Sequence, residues 1–150
     1  MSIEYTFRIV PAEAFAGGAP QSWTDSAADA RPRFTILGGA DSPLHQIFVQ
    51  LGGPLQFAIA GDCCPDGTYD KPTGPDPVFA AWVTPATVRE VAASLGRLPR
   101  WRVIELLRAL DCNLVQHKAG RDKYSDAYDT VQAAYAAAAK QAAGLAILIC

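Results

Sequence analysis

The chain has few of the groups from which recognisable active sites are built. Its 150 residues include two histidines, His45 and His117, and four cysteines, with no C-x-x-C pair and no zinc-ligand spacing between the histidines. A metal centre is therefore not expected, because structural zinc needs four such ligands brought together. Charge of one sign is also lacking: 13 Lys and Arg face 15 Asp and Glu, giving a net charge of −2. Without a basic excess to neutralise phosphates, nucleic acid is not an expected partner. No hydrophobic run is long. The most apolar stretch is LAILIC at 145–150, far short of the roughly 20 residues that cross a bilayer. The opening MSIEYTFRIVPAE alternates apolar and polar residues and carries Glu4 and Arg8, so it does not read as a secretory signal. These absences predict a cytoplasmic protein that engages no membrane. In that compartment Cys63, Cys64, Cys112 and Cys150 are expected as free thiols. There is no dinucleotide fingerprint, no phosphate loop and no hydrolase triad signature, so no cofactor is expected.

What the chain does have is a core. Half of its residues are hydrophobic, and a chain of this length forms one domain that buries about two-thirds of its unfolded surface. Residues 3–10 alternate as a strand, with Ile3, Tyr5, Phe7 and Ile9 on one face. Pro11 ends it and starts a short helical turn through Phe15. The small, polar residues 17–33 read as a loop that Trp23 pins down. FTILGG at 34–39 is a short strand or a linker. Ser42 as cap and Pro43 at the first helical position open a helix in which Leu44, Ile47, Phe48 and Leu51 share a face, and Gly52 stops it. LQFAIA at 55–60 and VFAAWV at 78–83 read as extended and apolar.

Thr84 and Pro85 start a helix buried through Val88, Val91, Ala92 and Leu95, ending at Gly96. A helix after Pro99 would turn Trp101, Ile104, Leu107 and Leu110 inward. The last helix, 122–143, carries Tyr124, Tyr128, Val131, Tyr135, Ala138 and Ala142 on one stripe over Ala-rich sequence. Gly144 then leads into LAILI, a strand apolar on both faces and so expected inside a sheet. The sum is a single α+β domain over 1–150, with a small mixed sheet, the long Ala-rich helix packed on it and a buried C-terminal strand.

Chemistry-bearing residues gather mainly in GDCCPDGTYDKPTGPDP, 61–77, where Asp62, Asp66, Asp70 and Asp76 face only Lys71. Part of this segment imitates a calcium-binding loop, but Cys64 and Thr73 stand where carboxylates are needed, and Pro65 interrupts it. A turn-rich loop is the expectation, and loops this long within a domain are commonly functional. HKAGRDK, 117–123, collects four cationic or potentially cationic groups but lacks the phosphate-loop pattern, and is expected to be a solvated connection.

In element order the chain resembles the small bacterial YfbM-like family, a domain family of unknown function. MSIEYTFRIVPAEAF resembles its opening strand and short helix. DSPLHQIFVQLGGPLQFAIAGD resembles its helix with a central histidine, here His45, followed by a strand. WVTPATVREVAASLG and YDTVQAAYAAAAKQAAGLAILIC resemble its threonine–proline helix and its closing helix–strand unit. The resemblance implies an α+β fold and supplies no catalytic residues.

Two functional expectations follow from the residues. A small, mildly acidic, motif-poor chain suits a protein-binding module, here an immunity-type inhibitor that occludes the active site of a basic toxin domain. Asp62, Asp66, Asp70 and Asp76 would steer association, with Trp82 nearby. The alternative is a small enzyme or ligand-binding domain in which His45 works with Asp62 or Cys63, the histidine activating a thiolate or pairing with the acid.

Overall fold

The computed structural model describes residues 4–17, 20, 30–37, 39–62, 78–110 and 123–149. Strand β1 (Glu4–Val10) runs into a 3₁₀ turn (Ala12–Phe15), and β2 (Arg33–Leu37) follows. Helix α1 (Asp41–Leu51), a second 3₁₀ turn (Gly53–Gln56) and the single-turn α2 (Phe57–Ala60) come next. Strand β3 (Val78–Val83), α3 (Pro85–Arg97), α4 (Arg100–Leu110), α5 (Lys123–Lys140) and β4 (Gly144–Ile149) complete the order.

The four strands form one sheet in the order β2-β1-β4-β3, and every pairing is antiparallel. The expectation of a mixed sheet is thus corrected. The physical reason is that β4 enters between β1 and β3 and runs against both, so strands that share a direction, β1 with β3 and β2 with β4, never touch. As predicted, β4 lies inside the sheet, and all six of its residues are buried.

Alternation along the strands divides the side chains cleanly. Phe7, Ile9, Ile36, Ala81, Val83, Leu145 and Ile147 point to one face and join a core with α1, α3, α4 and α5. The long helix supplies Tyr128, Val131, Tyr135 and Ala138 to it, as its sequence stripe predicts, together with Ala127 and Ala134. Small alanines let this helix lie close to the sheet. It ends before the expected 143. Ala142 takes a left-handed φ of 51°, and Ala143 N–H donates to Ala138 O at 3.0 Å while Ala142 N–H donates to Ala139 O at 3.0 Å. That is the paired C-terminal closure usually built on glycine.

Two further expectations change. Residues 55–60 are helical, not a strand: Gly61 N–H donates to Phe57 O at 2.8 Å, and Leu55, Ala58 and Ile59 turn inward at helical spacing. Glycines with positive φ, Gly52 at 74° and Gly61 at 73°, bound this compact turn pair. In α4 the buried residues are Val103 and Leu107, while Trp101 is 66% exposed and Leu110 is also exposed. The stripe is rotated from the expected one because the helix meets its neighbours through Val103, which the aromatic-led reading passed over.

Candidate functional site

The acidic run begins at a corner that is held on several sides. Gly61 adopts φ 73° and ψ 169°, a region essentially reserved to glycine. A Cβ there would stand 2.6 Å from both the Ala81 Cβ and the Trp82 carbonyl oxygen. This close approach lets Asp62 N–H donate to Trp82 O at 3.1 Å, tying the corner to the end of β3.

The Asp62 carboxylate then reaches the start of α3. Its Oδ1 accepts from the Thr84 backbone N–H at 2.9 Å, and its Oδ2 accepts from the Thr84 hydroxyl at 2.7 Å and from the Thr87 hydroxyl. Thr84 is the N-cap of α3 by position, yet its own side chain makes no capping bond. Asp62 caps the helix from 22 residues away in the chain, placing a negative charge where unsatisfied N–H groups and the helix dipole favour one. Asp62 is exposed, but its oxygens are engaged, and its first role is to anchor the corner.

The far end of the run is fixed as well, since Val78 pairs with Ile149 at the edge of the sheet. Asp62 sits beside Trp82, four residues along β3 from Val78, so the two fixed ends are roughly 13 Å apart. Asp66, Asp70, Asp76 and Cys63 lie outside the described residues.

Trp82 is enclosed, with 4% of its surface exposed. Its ring packs with Val10, Ala146 and Leu148 on the sheet face away from the helices, and Phe15 meets it edge-on at 6.4 Å. It supports the corner from behind and does not stand on the surface a partner would meet. His45 is half-buried on α1, and its Nδ1 is buried without a hydrogen-bond partner among the described residues. No described bond joins it to Asp62. Among the described residues, no group of three or more His, Cys, Asp or Glu side chains could hold a metal ion, and no helix is long and apolar enough to cross a membrane.

One buried group near the corner escaped sequence reasoning. Arg8, 1% exposed, lies in the cross-strand row Arg33–Arg8–Ala146–Trp82. Its guanidinium donates to Arg31 O at 2.7 Å and to Pro32 O at 3.4 Å. Alternation placed it on the face opposite Phe7 and Ile9, which reads as a solvent face; only its pairing next to a central strand could have suggested burial. Tyr135 is a second interior polar group. Its hydroxyl donates to Ala58 O at 2.8 Å, just behind the corner, and burial followed by the negative charge of Asp62 pushes its pKa well above the usual 10.0.

Comparison with protein-family models, with curated proteins and with solved structures found no match.

Proposed function

We propose that this chain is a cytoplasmic protein-binding module of the YfbM-like kind, an immunity-type inhibitor that covers the active site of a basic toxin domain. The observation that carries the reading is the anchoring of the acidic run. A segment with four Asp and one Lys starts from Asp62, which is bonded to the N-terminus of α3 and to the end of β3. Fixing both ends of a charged segment lowers the ordering cost of binding, and its local charge steers encounter with a basic cleft. Asp66, Asp70 and Asp76 would supply the contacts, and Asp62 would hold their starting point.

The test is titration calorimetry against the polypeptide encoded beside this chain, at low and high salt. The triple variant Asp66→Asn, Asp70→Asn, Asp76→Asn is expected to lose about tenfold or more in affinity and most of the salt dependence. Unchanged affinity in the triple variant would remove the acidic run from the interface. A second reading, a small ligand-binding or catalytic site at His45, draws on its unpartnered Nδ1. Its sign would be a His45 imidazole resonance that shifts on adding a substrate-like anion.

A further inference from the structure

Helix α4 presents to solvent a stripe that no described element covers. Its buried side is Val103 and Leu107, so helical geometry puts Trp101, Glu105 and Arg108 on the opposite side, with the half-buried Ile104 at its margin, within about three turns. Trp101 is 66% exposed, more than any other large apolar side chain among the described residues. A single exposed apolar residue is ordinary on a protein surface; this indole shares its stripe with charged side chains of both signs.

The charges on this face are arranged. Arg100 is drawn away to Asp129 at 3.2 Å, and Arg102 is paired with Glu105 at 3.1 Å. Arg108 is exposed and has no ion pair among the described residues. The stripe therefore reads, from one end to the other, aromatic, apolar, acidic, basic. Reversed and laid on itself, that order sets the aromatic end of each copy against the basic end of the other. Two copies of α4 antiparallel about a two-fold axis midway between Ile104 and Glu105 set residue 101 of each against residue 108 of the other. An isologous contact of this kind repeats every favourable pair twice.

We propose that the chain self-associates through the outer face of α4 as an antiparallel two-fold dimer. Trp101 of each copy receives the Arg108 guanidinium of the other on its ring face. The two Ile104 side chains meet on one flank. On the other flank each Glu105 keeps its own Arg102 and lies within reach of the second copy's Arg102, so the two carboxylates are neutralised. With Arg102 at its margin, the stripe carries two positive charges and one negative. That is too little to hold a strongly acidic protein or a nucleic acid, and a second copy fits the balance best. A helix of 11 residues buries less than the roughly 800 Å² per partner of a stable interface, so the dimer is weak and depends on concentration.

Sedimentation velocity of the full chain from about 10 μM to 1 mM covers the range expected for so small a contact. The wild-type chain is expected to move from 16.0 kDa towards twice that mass. Trp101→Ala and Arg108→Glu should each weaken association at least about tenfold. Both positions are exposed, and unchanged far-ultraviolet circular dichroism would show that each variant is folded. A wild-type chain that stays monomeric throughout overturns the proposal, as does a Trp101→Ala chain that dimerises like wild type. A monomeric wild type whose tryptophan emission shifts with poly-glutamate, while Trp101→Ala is silent, assigns the face to an acidic partner and also overturns the dimer.

Discussion

The two faces of the sheet are built from the same strands and held by different means. Towards the helices, Phe7, Ile9, Leu145 and Ile147 meet Val88, Val91, Leu95, Val131 and Tyr135 in a continuous apolar core. Two tyrosine hydroxyls bond to backbone within it: Tyr128 donates to Leu98 O at 3.0 Å and Tyr135 to Ala58 O at 2.8 Å. On the other face, Val10, Trp82, Ala146 and Leu148 form a small cluster covered by Ala14 and Phe15. The Phe15 ring lies so close over Gly144 that a Cβ there would overlap it. Beside this cluster the sheet buries a full charge, Arg8, and a Thr6–Thr35 hydroxyl pair 3.0 Å apart. Antiparallel sheets commonly leave one face to water; here the second face is closed partly by that small apolar cluster and partly by polar bonds, Arg8 to backbone carbonyls and Thr6 to Thr35, where the first is closed by apolar area. The proposed acidic interface springs from the boundary between them, since Asp62 is tied to Trp82 on one side and lies near Tyr135 on the other.

The largest test of this contrast is a pair of aromatic truncations on opposite faces. Phe7→Ala, in the extensive core, is expected to cost towards 5 kcal/mol, and Trp82→Ala, in the thin cluster, about 3 kcal/mol, measured by urea unfolding. Equal losses would mean that the second face is packed as tightly as the first.

Arg8→Ala follows, with an expected loss of about 2 kcal/mol, because charge-assisted bonds vanish and carbonyl oxygens of Arg31 and Pro32 lose their donor. Amide exchange should quicken in β2 while α5 stays protected; uniform change would make Arg8 a global support instead of a local latch.

The smallest effect belongs to the polar group on the helix side. Tyr135→Phe should cost about 1 kcal/mol at neutral pH. Folding raises the Tyr135 pKa above 10.0, so above that pH the unfolded chain releases a proton the folded chain retains, and wild-type stability falls as pH rises. The Phe variant lacks this contribution to the slope, so the gap between the two should shrink from about pH 8 to about pH 11. A constant gap would mean that Tyr135 is not held protonated by burial.

Much of the fold was legible because periodicity and end signals agreed. Thr84–Pro85 opened α3, the Tyr128–Val131–Tyr135–Ala138 stripe marked α5, and β4 read as a buried strand. Residues 55–60 failed for a definite reason: a short apolar run carries no period that separates a strand from a helical turn. In α4, Trp101 and Val103 compete for the inward side, and only the neighbouring helices decide between them. For the candidate site, Asp62 was expected only as a partner contact or a companion of His45, and its bonds to Thr84 and Thr87 were not legible. Capping across 22 residues leaves no local signal, whereas a cap within its own helix does. Arg8 was hidden for a related reason, because alternation says which residues share a face and nothing about what later covers it.

The position of β4 also bears on how the chain is made. β1 and β3 have no contact in the sheet except through β4, which is the last strand in chain order. As the polypeptide leaves the ribosome, β1 can pair with β2 and offer α5 a surface to pack on, but β3 has no neighbour in the sheet until residues 144–149 have been added. Sheet closure is thus a late, long-range event, of the kind that slows folding and prolongs exposure of unpaired edges. A nascent chain halted before Gly144 would carry every described helix and still leave β3 without a partner strand.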